Sequence, residues 1–196
     1  MRSRVRSKWR KKDRAVTFED NAVALAAGIW RVSLAAAKNL HAHDFVYEGD
    51  EQRLQTIEEY LAFLIHVADR LAFDTMDQHQ RCQFVSTLAH QCGRHIQQNK
   101  SEIFNADDYQ SPFINTLNER MSEYSETVFN NAEPGYDTYR CFARHVQEVM
   151  GMDQTNRWVT DHIIEIDAPE AVATLTQTMQ RLFASAPIEV ASKKGD

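Results

Sequence analysis

The chain has 196 residues, 43% hydrophobic and 26% charged, which fits one globular domain and excludes disorder throughout. Six Gly and four Pro give too few turns for a sandwich or barrel, so the composition points to long helices. The formal net charge of -6 is unevenly placed: residues 1–14 hold eight bases against the single acid Asp13.

Those bases are Arg2, Arg4, Arg6, Lys8, Arg10, Lys11, Lys12 and Arg14. The acidic remainder repels nucleic acid and anionic lipid, so any polyanion contact is expected to run through this arm. Like charges in a block also predict a disordered segment over 1–14. Trp9 within the arm is one aromatic without amphipathic spacing, a weak signal for base stacking or a lipid surface.

Thr17, with Asp20 three residues on, reads as a capping box opening a helix from Phe18 to about His43. Its small residues Ala22, Ala26, Ala27 and Ala35 suit close approach by a neighbouring helix. A basic start before an Ala-rich run suggests a secretion signal, but Glu19, Asp20 and Arg31 break it. Sixteen residues from Ala22 to Ala37 also fall short of the ~20 needed to span a bilayer. A cytoplasmic chain without a transmembrane segment is expected.

Asp50 opens a second helix to about Phe73, with Leu54, Ile57, Leu61, Leu64, Ile65, Ala68 and Leu71 at helical period. Thr75 is the expected cap of a third, to about Asn99. Ser111-Pro112 starts a fourth, running to about Phe129. The run NNAEPGYD, 130–137, is the clearest turn. A fifth helix is expected from about Thr138 to Met150, a sixth from Asp153 to about Ile166, and a seventh to about Ala184. The seventh is opened by Asp167-Ala-Pro-Glu170 read as a capping box. The fold class is all-α, a single helical bundle of about seven helices over residues 15–186, with a flexible tail over 187–196.

Cys82, Cys92 and Cys141 are an odd number without C-x-x-C spacing, so neither a disulfide framework nor a zinc motif is indicated. Phosphate-loop, dinucleotide, nucleophile-elbow and H-E-x-x-H patterns are absent. Cys92 and His95 share a helix face, but no orienting residue accompanies them for cysteine catalysis.

Histidine is the unusual count. Of eight, four have a carboxylate three residues later and thus on the same helix face: His41/Asp44, His66/Asp69, His145/Glu148 and His162/Glu165. Such pairs suit a metal ion or a charged hydrogen bond, although the di-metal bundles use Glu-x-x-His, with the acid first. On the second helix Glu59, His66, Asp69 and Arg70 fall on one stripe within a segment apolar on most of its circumference. That stripe is the candidate ligand or metal site, with a register-fixing polar network as the structural alternative.

No catalytic residue is nominated and no cofactor is expected. The sequence favours a non-enzymatic binding or assembly protein, self-associating as a homodimer. The alternatives are a metal-binding bundle protein or enzyme using His/carboxylate pairs, and an adaptor docking to nucleic acid or anionic membrane through residues 1–14.

Overall fold

The computed structural model describes residues 17–153 and 155–184. The polyanion contacts expected of residues 1–14 and the tail over 187–196 lie outside the described residues.

The chain is an all-α bundle in which one helix is surrounded by the others. Helix α1 is Phe18–Ala42, α2 Asp50–Phe73, α3 Gln78–Ile103, α4 Gln110–Ser125 and α5 Tyr136–Met150. A two-residue hairpin, Phe129–Asn130 with Glu133–Pro134, joins α4 to α5. The last helix, α6, is continuous through Val159–His162, a π-helical turn Ile163–Asp167, and Ala168–Ala184.

Residues Glu59 to Ala68 of α2 are buried without interruption, as their all-round apolar character requires of a central helix. Packing there is aromatic. Phe63 stacks on Phe142 of α5 at 4.3 Å between centroids, and Tyr60 meets the same ring edge-on at 4.8 Å. Each such ring, fully buried, contributes roughly 1.5–3 kcal/mol. On α1, Ala22 and Ala26 are buried as expected, whereas Ala35 is exposed.

Helix boundaries follow the local chemistry. Thr17 and Asp20 form the expected reciprocal box at the head of α1. The third helix starts two residues later than expected. Asp77 and Gln80 form its capping box, while Thr75 turns its hydroxyl back to the Ala72 carbonyl at 3.2 Å. At the head of α4, Asp108 Oδ1 accepts from the amides of Gln110 and Ser111, and Pro112 sits in the first turn where no amide is needed. That helix stops at Ser125, not Phe129. The next residues enter the hairpin, whose loop, Asn131-Ala132, has φ 53° and 62°, the primed-turn geometry that matches strand twist.

The expected count of seven helices is corrected to six. Asp167 and Pro169 were expected to open a new helix, but the π-turn carries the chain through them. The Ala168 amide reaches back five residues to the Ile163 carbonyl, and the wider turn accommodates a proline that an α-helix interior resists. Asp167 does not cap. It is buried, taking Asn39 Nδ2 at 2.7 Å and the Tyr60 hydroxyl at 3.2 Å. Nor does Asp153 start a helix: its Oδ1 accepts from the amides of Thr155 and Asn156, and α6 begins at Val159. The buried Asn156 side chain exchanges two bonds with the Val46 backbone and donates to the Met150 carbonyl, closing the loop after α1 onto the end of α5.

Candidate functional site

The polar side chains of α2, α4 and α5 gather where these helices meet, in three groups, two of which are linked by Arg120. Glu59 leaves the stripe expected on α2 and pairs with α4. Its two oxygens take Arg120 Nε and Nη2 at 2.9 Å each, and Arg120 Nη1 reaches Glu123 Oε1 at 3.3 Å. A buried carboxylate needs such a fork to offset desolvation. His66 is seven residues further along α2, about 10 Å up the axis, which is beyond hydrogen-bond reach despite the shared face.

The rest of the stripe is also dispersed. Asp69 faces Arg81 of α3 at 3.4 Å. The Arg70 guanidinium lies over the rings of Phe73 and Phe129, at 5.5 and 5.6 Å. Only His66, Asp69 and Arg70 share a surface. With Met121, Tyr124, Ser125 and Thr127 they line a cavity of about 150 Å3. Burial, aided by the charge of Arg70, pushes the His66 imidazole down to about 4, so its ring is neutral at pH 7.

The third group comes from α4 and α5. His145 Nε2 is 2.8 Å from Glu123 Oε2, and its Nδ1 is 3.1 Å from Glu148 Oε2. Cys141, one turn before His145, places Sγ 3.8 Å from both His145 Nε2 and Glu123 Oε2. The ligating atoms of Glu123, Cys141 and His145 all lie within 4.8 Å of one another. Arg144 Nη2 also holds Glu123 Oε2, at 2.9 Å. Burial alone would raise the Glu123 carboxyl, but the His145 hydrogen bond and the Arg120 and Arg144 charges outweigh it and hold it low. The Cys141 thiol is pushed up, chiefly by burial, against the lowering pull of Arg144.

The donor set fits a borderline metal ion. Tetrahedral zinc takes nitrogen, thiolate and carboxylate ligands at ~2.0–2.3 Å, which puts neighbouring donors roughly 3.3–3.6 Å apart. The observed separations of 2.8, 3.8 and 3.8 Å bracket that range. Glu148 on the far nitrogen of His145 is the carboxylate that orients a ligating histidine. Arg144 has to leave Glu123 for an ion to enter, and its side chain is more than half exposed.

Among the four His/carboxylate pairs legible in the sequence, His145/Glu148 alone makes its i,i+3 bond. His41 turns Nδ1 to the Phe45 carbonyl at 3.4 Å, and His162 approaches Asp167 instead of Glu165. Glu123 and Cys141 were missed. Cys141-x-x-x-His145-x-x-Glu148 is a readable helical stripe, but Glu123 joins it only through the packing of α4 on α5. Cys92 is sealed in the core with its thiol pushed far up, and His95 stacks on Trp30 at 5.6 Å. A wider groove of about 490 Å3 runs between α1 and α6, where Asp167 is already bonded to Asn39 and Tyr60.

No protein-family model matches the chain, and neither known proteins nor solved structures give a match, so the residues themselves carry the functional reading.

Proposed function

We propose that this chain is a metal-binding helical-bundle protein, with Glu123, Cys141 and His145 as ligands and zinc as the best-suited ion. The observation that carries the reading is the convergence of a carboxylate, a thiol and an imidazole within 4.8 Å. Glu148 supports it by fixing the His145 ring, and the mixed oxygen, sulfur and nitrogen donors suit zinc over calcium or magnesium. A bound ion ties α4 to α5 across the hairpin. A thiol ligand also suits the reducing, cytoplasmic setting expected from the sequence, and the three cysteines are unpaired.

Self-association has the weaker basis. The two most exposed large apolar residues among those described, Tyr136 and Met152, lie at opposite ends of α5, roughly 20 Å apart. No helix among the described residues is long and apolar enough to cross a membrane.

Cobalt titration tests the proposal, because Co2+ occupies zinc sites and a thiolate ligand gives a charge-transfer band in the near ultraviolet. The band is expected in the full chain, absent in Cys141→Ser and displaced by added zinc. Since the thiol proton must leave, apparent affinity is expected to rise with pH. A titration with no thiolate band, together with no metal retained by the protein as purified, rejects the reading.

A further inference from the structure

We infer that Arg144 is the ion's built-in competitor. Its guanidinium stands at the fourth corner of the tetrahedron that Glu123, Cys141 and His145 begin, and it sets how tightly the site holds a metal. This rests on the metal reading proposed above and adds to it what controls occupancy.

Arg144 Nη2 is 2.9 Å from Glu123 Oε2, 3.4 Å from His145 Nε2 and 3.8 Å from Cys141 Sγ. Those are the three donor atoms themselves, which lie 2.8, 3.8 and 3.8 Å from one another. The circle through them has a radius of about 2 Å, the length of a zinc–ligand bond, so an ion sits close to their plane. Nη2 is farther than that radius from every donor and therefore stands off the plane, as an apex over the triangle. A tetrahedral ion completes its shell at such an apex. A guanidinium has no lone pair to give and cannot be that fourth ligand, so ion and side chain exclude each other.

Charge balances in the exchange. The guanidinium carries one positive charge out of the triangle, and the Cys141 proton, which must pass to solvent for Sγ to bind, carries a second. A divalent ion returns both. The displaced side chain has a partner close by: Glu148 Oε1 is already 4.0 Å from Arg144 Nε, while Glu148 Oε2 stays on His145 Nδ1. Arg120 behaves differently. Its Nη1 bonds Glu123 Oε1, the oxygen turned away from the triangle, and leaves Oε2 to the ion. One arginine thus holds the ligand in place, and the other holds the place of the metal.

Cobalt titration at one fixed pH, read from the thiolate band, tests this on the full chain, on Arg144→Ala and on Arg140→Ala. Arg140 lies one turn earlier on α5, is exposed and carries the same charge. Arg144→Ala is expected to tighten binding about tenfold or more, because the competitor and its repulsion of a divalent ion both go. Arg140→Ala is expected to stay within about twofold of the parent, since a solvated charge is screened by water and salt. A side chain that merely braced Glu123 would give the opposite sign, with weaker binding on its removal. Equal or weaker binding in Arg144→Ala overturns the inference and leaves the metal reading standing. Tightening of the same size in Arg140→Ala also overturns it, since the effect is then one of net charge. No thiolate band in any of the three proteins rejects the metal reading and the inference with it.

Discussion

His66 and His145 are equally buried, each 3% exposed, on helices that pack against one another. Their chemistry is nevertheless opposite. His145 is held at both nitrogens by carboxylates, Glu123 and Glu148, and sits beside a thiol. His66 has aromatic neighbours, Tyr124 at 5.3 Å and Phe129 at 6.5 Å, and an arginine that repels its charged form. Burial alone therefore does not decide what a histidine can do. The groups it faces decide whether the ring is bonded to carboxylates or set among aromatic rings beside an arginine.

The largest expected effect comes from the residue that spans the two regions. Arg120 holds Glu59 of the His66 helix and Glu123 of the His145 cluster. Arg120→Met leaves Glu59 buried without its counter-charge and should cost ~3–5 kcal/mol, read as a fall in the urea midpoint. A loss under about 1 kcal/mol would place the pair with ordinary surface bridges and remove the link between the two regions.

Acid tests the His66 region next. The folded-state pKa of His66 is depressed to about 4, against an unfolded value near 6.5. Above pH ~6.5 the ring is neutral in both states and its contribution is complete. Between pH ~6.5 and 4 the unfolded chain takes up a proton that the folded chain refuses, so stability falls by up to about 3 kcal/mol. The difference in stability between wild type and His66→Gln should carry this slope over that window. A pH-independent difference would show that the His66 ring is hydrated in the folded chain.

The smallest effect concerns the hairpin joining α4 to α5. Ala132 adopts φ 62°, which costs a residue with a Cβ roughly 1 kcal/mol. Ala132→Gly should raise stability by about that amount, with a matching rise in thermal midpoint. A decrease would mean that the flexibility added to the unfolded chain outweighs the relieved strain.

The bundle was largely legible because α2 is a long periodic segment bounded by Asp50 and Asp74. The expected range Asp50–Phe73 is the observed one. The candidate stripe was read less well, and for a definite reason. An angular projection places Glu59 beside His66 but discards the rise along the axis, so two groups two turns apart look adjacent. Glu59 found Arg120 across 61 positions of sequence, and Glu123 found His145 across 22. Such partners are set by how α4 lies on α2 and α5, which no single helix encodes. The start of α3 is in principle readable: Asp77-x-x-Gln80 is a capping box two residues beyond Thr75.

The π-turn in α6 acts as a phase shifter. In an α-helix, positions five apart point about 140° away from each other. The wider turn at Ile163–Asp167 narrows that angle and brings His162 Nε2 to 3.4 Å from Asp167 Oδ1. It also resets the orientation of every residue that follows, so that Val172, Leu175 and Met179 are the ones turned inward. Removing one residue from this turn would restore regular helix at a hidden cost. Either Asp167 would rotate away from Asn39 and Tyr60, or the seventeen residues of Ala168–Ala184 would turn their apolar stripe from the core. A single extra residue thus reconciles two faces of one helix that a regular spiral cannot present together.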